Sequence, residues 1–110
     1  MIYSRYLLSI AFVGLIFLSG CTVNLTMWTI TVNNVSVSEN ICFVRISSSS
    51  ASSWGDDELG SSEIISPGDS RSFNEFEGLV DLKIEGCDGT ITQNFEIRLD
   101  EDLSFDWVGL

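Results

Sequence analysis

The sequence predicts a small all-β protein, a sandwich of about seven short strands. Three observations carry that expectation. Apolar and polar residues alternate with a period of two in several windows after residue 27. Turn-forming residues recur between those windows at regular spacing. Outside the first 20 residues, no window carries a helical stripe.

In chain order, the first segment is an address and not part of the fold. The amino terminus and Arg5 carry the positive charge ahead of residues 7–18, LLSIAFVGLIFL, a run broken only by Ser9 and Gly14. A helix needs about 20 apolar residues to cross a bilayer, so this run is short for a span and fits the apolar part of a secretory signal. Leu18-Ser19-Gly20-Cys21 follows. This box resembles the bacterial lipobox read by the lipoprotein signal peptidase, with small residues at a narrow cleavage site. The resemblance implies cleavage before Cys21 and a thioether-linked diacylglycerol on its sulfur. The expected organisation is a signal peptide over 1–20, a lipidated tether over 21–27 and a β-sandwich domain over 28–110. The alternatives are an ordinary secretory signal with a chance cysteine, and an uncleaved anchor. Two acyl chains hold a protein stably where one does so only marginally. The expected partner is therefore a membrane, reached through the lipid, and the expected location is outside the cytoplasm. Thr22, not Asp, follows Cys21. By resemblance to the sorting rule of enteric bacteria, that favours the outer membrane if the source has two membranes.

Residues 28–32, WTITV, alternate and read as a half-buried strand. Asn33-Asn34 marks a turn or bulge, and Val35 and Val37 continue the alternation in a second short stretch. Ser36-x-x-Glu39 has the form of a helix capping box but leads into β-branched alternation, so no helix is expected. Ser38-Glu39-Asn40 is a turn. Residues 41–46, ICFVRI, are nearly all apolar and read as a central strand, with Cys42, Val44 and Ile46 on one face. Residues 47–53, SSSSASS, form a flexible polar loop. It leads into Trp54-Gly55-Asp56-Asp57-Glu58-Leu59-Gly60. Residues 63–66 form a short strand closed by Pro67-Gly68-Asp69, a strong turn signal. Arg71-Ser72-Phe73 begins the return, and residues 75–78 bend again. Residues 79–85, LVDLKIE, put Val80, Leu82 and Ile84 on one face and Asp81, Lys83 and Glu85 on the other. Cys87-Asp88-Gly89-Thr90 is a hairpin turn. Residues 91–99 are the longest alternating run, with Ile91, Phe95, Ile97 and Leu99 as its apolar face, interrupted by Gln93. Asp100-Glu101-Asp102 ends that run, and residues 103–108 form a last edge strand. The pattern fits an Ig-like or transthyretin-like sandwich after a cleaved N-terminal signal helix.

Charge and cysteine content narrow the function classes. The 110 residues include 16 Asp plus Glu, 5 Lys plus Arg and no His, for a formal net charge of −11. Loss of Arg5 with the signal and acylation of the new amine would leave about 90 residues with a charge of about −12. Nucleic acid is not an expected partner, because phosphate neutralisation needs clustered Lys and Arg. Without His, a Ser-His-Asp or Cys-His site is excluded, and the many serines have no visible base. The chain is therefore not expected to be an enzyme, nor to use a cofactor beyond the lipid. Assigning Cys21 to the lipid leaves Cys42 and Cys87 as an even pair. A bridge between them would close a loop of about 45 residues, for which chain entropy gives roughly 4 kcal/mol. The alternative is two buried free thiols.

A wider pattern runs Ile41-Cys42-x-Val44-x-Ile46-Ser47, a Ser-rich loop, then Ser53-Trp54-Gly55-Asp56-Asp57-x-Leu59-Gly60. It continues through Ile65-x-Pro67-Gly68-x-Ser70-Arg71-x-Phe73 and Val80-Asp81-Leu82-Lys83, and ends at Cys87-Asp88-Gly89. It resembles a loosely defined group of small exported bacterial proteins and lipoproteins. The resemblance implies the fold and pairs Cys42 with Cys87, and it supplies no mechanism.

The candidate binding loop is Trp54 with Asp56, Asp57 and Glu58. Read functionally, Trp54 is an exposed platform and the acids take a cation or a basic partner. Read structurally, Trp54 caps the open end of the sandwich and the acids are solvated. Asp56, Asp57, Asp100 and Asp102 are weaker calcium candidates, since calcium takes 6–8 oxygen ligands. Asn24 and Asn34 head glycosylation-type triplets that match by chance in such a chain. The expected role is a non-catalytic binding or accessory module in the cell envelope, with an envelope protein as a possible partner. The alternatives are a structural envelope component without a discrete ligand site, and a calcium-binding or adhesion module.

Overall fold

In the computed structural model, which describes residues 26–109, the chain forms six strands in two three-stranded sheets. The signal segment, the lipobox with Cys21, and the tether before residue 26 lie outside the described residues. The strands are β1 (Met27–Asn34), β2 (Ile41–Ser48), β3 (Ser70–Phe76), β4 (Gly78–Gly86), β5 (Ile91–Leu99) and β6 (Leu103–Trp107). The first sheet has the order β3-β1-β6, with β3 antiparallel and β6 parallel to β1. The second has the order β2-β4-β5, antiparallel throughout. The all-β sandwich expected from the alternation is what the chain adopts, and no helix occurs among the described residues.

The core forms where the inner faces meet. The first sheet supplies Ile30, Val32, Phe73 and Trp107, and the second supplies Val44, Ile46, Val80, Leu82, Ile84 and Leu99. Burial of each aliphatic side chain contributes about 1.5–3 kcal/mol before chain entropy is counted. Trp107 lies against Gly86, where an added β-carbon would stand 2.8 Å from the indole, so only glycine leaves room there. Cys42 and Cys87 are bonded, with their α-carbons 4.8 Å apart. The bridge joins the start of β2 to the β4–β5 hairpin, where the Cys87 N–H also donates to the Asn40 carbonyl at 2.9 Å.

Several local expectations are corrected. Asn33 and Asn34 close β1 and are not a turn; Asn34 is buried. Its Nδ2 donates to the carbonyls of Glu39 (2.7 Å) and Ile65 (2.8 Å), and its Oδ1 accepts from the Ser36 N–H (3.0 Å). An amide with both N–H donors and its oxygen engaged inside the fold is not a turn residue, and it is not free to carry a glycan. Val35 and Val37 form no second stretch of strand, and Val37 is 97% exposed. The strand expected over 63–66 reduces to a single bridge between Ile65 and Ile41, which brings the count to six among the described residues. Ser47 and Ser48 belong to β2 and not to a loop, and Glu75 and Phe76 belong to β3 and not to a bend.

β2 is an edge strand, not a central one; β4 is central. β2 reads as central because a loop covers its outer edge. The Glu58 N–H donates to the Val44 carbonyl (2.7 Å), the Val44 N–H donates to Asp57 Oδ1 (2.9 Å), and Leu59 and Ile65 are buried beside it. Cys42 does not share the face of Val44 and Ile46. The register shifts between Ile41 and Phe43, so Ile41 and Val44 both face the core while Cys42 turns aside to meet Cys87.

The same device changes β5. Val80 stands opposite Ile97 and Leu82 opposite Asn94, so Phe95 and Glu96 together face the single residue Asp81. This bulge inverts the phase of the strand. Ile97 and Leu99 point inward, but Ile91 is 54% exposed and Phe95 is 60% exposed. The apolar face expected from Ile91 to Leu99 is thus two half-faces on opposite sides of the sheet.

Candidate functional site

The outer face of the second sheet is built by register. Phe43, Arg45 and Ser47 on β2 stand opposite Glu85, Lys83 and Asp81 on β4; Glu85 and Lys83 stand opposite Ile91 and Gln93 on β5. Residues directly opposite share a face. Glu85 lies 3.6 Å from Arg45 Nε and 3.7 Å from Lys83 Nζ, so one carboxylate balances two cations. Arg45 also lies over the Phe43 ring at 5.6 Å.

Trp54 crosses onto this face. Its ring centroid is 5.9 Å from that of Phe95, tilted by 40°, and Lys83 Nζ stands 5.7 Å from its centre. The indole is half-buried and is not part of the core cluster. Trp54 is therefore neither a free platform nor a cap on the open end of the sandwich. It walls a hollow of about 200 Å³ over the second sheet, between the serines that follow β2, Asp81 and Phe95. The loop is held by Gly55, whose N–H donates to Ser47 Oγ at 2.7 Å and whose carbonyl accepts from Arg45 at 3.1 Å.

Asp81 organises the far wall. Its Oδ1 accepts from the Ser49 hydroxyl (2.7 Å) and from the Glu96 N–H (2.9 Å). Glu96 has φ of 55°, the one positive φ outside glycine among the described residues. The carboxylate thus fixes the bulge that turns Phe95 outward towards Trp54.

The acids of the candidate loop do not join Trp54 there. Asp57 Oδ1 accepts from the N–H groups of Val44 (2.9 Å) and Leu59 (3.1 Å), so Asp57 clamps the loop to the edge of β2. Burial first, then the charge of Asp57, pushes the Glu58 carboxyl above its ordinary range; Arg71 opposes this and Asp56 adds to it. Glu75 is also raised, by burial and then by the Glu58 charge. Asp56 is exposed. Glu63 goes the other way, lowered by the Gly60 N–H and by Arg71, whose Nε stands 2.7 Å from its carboxylate. Asp88 is lowered by the N–H and hydroxyl of Thr90 in the hairpin turn.

The calcium candidates are not assembled. Asp57 is bound to β2 of one sheet, while Asp102 Oδ1 accepts from the Thr29 N–H on β1 of the other at 2.8 Å. Among the described residues, no three carboxylate or thiol side chains converge as a metal site.

Asp81 and Phe95 are the site residues that sequence reasoning missed. Asp81 reads as one more solvated position on β4. Phe95 reads as core, and only Gln93 in the supposed inner face hints that the phase is broken. No family model, curated protein or solved structure matches the chain.

Proposed function

We propose that the chain is a membrane-anchored lipoprotein of the bacterial envelope and that its sandwich is a non-catalytic binding module. The observation that carries the reading is the Leu18-Ser19-Gly20-Cys21 box, placed just ahead of Met27, the first residue of β1. A diacylglycerol on Cys21 would hold the folded domain within a few residues of the bilayer. The bridge between Cys42 and Cys87 supports an exported location, because structural disulfides persist in oxidising compartments. With Cys21 given to lipid, no thiol is left over.

The binding part of the reading rests on the hollow beside Trp54. Asp81 is the one titratable residue in its lining, so the hollow has no second titratable group to share acid and base roles with it. Aromatic, hydroxyl and carboxylate groups on separate elements meet at a concave surface, the usual form of a small ligand site.

The anchor is tested by growing bacteria that express the full chain with an alkyne fatty acid. The protein incorporates the label, and Cys21→Ser does not. An unlabelled parent, or a labelled Cys21→Ser variant, overturns the lipoprotein reading.

A further inference from the structure

Outside the core, one hollow brings an aromatic wall, unpartnered hydroxyls and a carboxylate together. We propose that this hollow binds the ring of a neutral saccharide. The proposal rests on the reading of the sandwich as a binding module and names the ligand class of that site.

A pyranose ring has one C–H face and an edge of hydroxyls. The Trp54 and Phe95 rings, 5.9 Å apart and inclined by 40°, offer apolar surface to the C–H face. The hydroxyls of Ser52 and Ser53 and the Trp54 Nε1–H have no hydrogen-bond partner among the described residues. Hydroxyls both donate and accept, which suits a polyol. Asp81 uses Oδ1 for Ser49 and Glu96, and its Oδ2 remains an acceptor. A bond from a sugar hydroxyl to that carboxylate is charge-assisted.

Two other ligand classes fit less well. No Lys or Arg lines the hollow, and a net charge of −11 repels anions. The cation–π position on Trp54, beside the hollow, is already taken by the Lys83 ammonium at 5.7 Å from the ring centre. A neutral ligand needs neither charge.

The backbone gives independent support. Glu96 holds a left-handed conformation that costs non-glycine residues energy, and it sits in the bulge that aims Phe95 at Trp54. Bulges that re-aim a side chain recur beside functional sites. Here the strain builds one wall of the hollow.

The test uses the full chain in a polyoxyethylene detergent, which carries neither sugar nor choline. Glucose, N-acetylglucosamine and cellobiose are titrated, with choline and glucose 6-phosphate as the cation and anion arms. Saturation-transfer NMR and calorimetry read binding. The neutral sugars bind in the millimolar range and more tightly than either charged probe. Trp54→Ala abolishes the signal. Asp81→Asn, which keeps Oδ1 for the bulge, weakens binding about tenfold with the melting temperature unchanged. Asp106→Asn on β6 changes nothing. Choline binding more tightly than every sugar overturns the saccharide assignment and leaves a binding module. Failure of every probe to bind, or sugar binding that survives Trp54→Ala, overturns the hollow as the site. Fatty-acid labelling at Cys21 reports on the anchor separately from all of these outcomes.

Discussion

Single polar side chains fix much of this fold. Asn34 ties the end of β1 to Ser36, Glu39 and Ile65 through its side chain, in a buried position. Asn34→Ala would leave the Glu39 carbonyl and the Ser36 N–H without partners and would take one of its two donors from the Ile65 carbonyl. It should cost about 2–4 kcal/mol in denaturant unfolding, and a loss below about 0.5 kcal/mol would show the network to be dispensable. Glu75 is the opposite case. Its carboxyl is raised by burial and then by Glu58, so its ionised form costs stability at neutral pH. That cost fades as pH falls through the folded-state value towards the unfolded one. Glu75→Gln should therefore stabilise at neutral pH, by no more than about 1 kcal/mol after solvent screening. The gain should vanish in melting curves taken below the ordinary glutamate range. Glu63 and Asp88 contribute with the reverse sign. Their stabilisation is present above the unfolded value and is lost as pH falls through their lowered folded values.

At the scale of elements, what could be read in advance was local. The alternation of 28–32 and 79–85, the Pro67-Gly68 turn and the Asp88-Gly89 hairpin each depend on neighbours in sequence, and each stands in the structure. What could not be read depends on distant contacts. β2 is as apolar as a central strand because residues 57–65 cover its edge, and nothing within 41–46 records that cover. The phase of β5 is broken by a bulge whose partner, Asp81, lies on another strand. The candidate site is the least legible in the sequence, since Trp54 stands out as an unusual residue while Asp81 and Phe95 join it only through register. The bulge itself is testable. At φ of 55°, Glu96→Gly should hold stability within about 1 kcal/mol of the parent, on the stabilising side, while Glu96→Val should lose about 1–2 kcal/mol. Thermal melts that reverse this order would remove the left-handed bulge from the account.

For the whole molecule, charge and covalent chemistry bear on one another. All 16 acidic residues follow Leu18-Ser19-Gly20-Cys21, so under the proposed lipoprotein reading the repulsive charge would lie wholly on the exported domain and the lipid would hold it at the membrane. A domain of about 90 residues buries a modest fraction of its surface, so the bridge between Cys42 and Cys87 carries a large share of its stability. Two of the three cysteines serve the fold, and the proposed lipoprotein reading gives the third, Cys21, to the bilayer. The most direct test is the intact mass of the protein extracted from membranes without reductant. The account predicts a chain that begins at Cys21, carries the diacylglycerol addition and lacks the two hydrogens of a closed bridge. A chain that retains residues 1–20, or an unmodified Cys21, would contradict it.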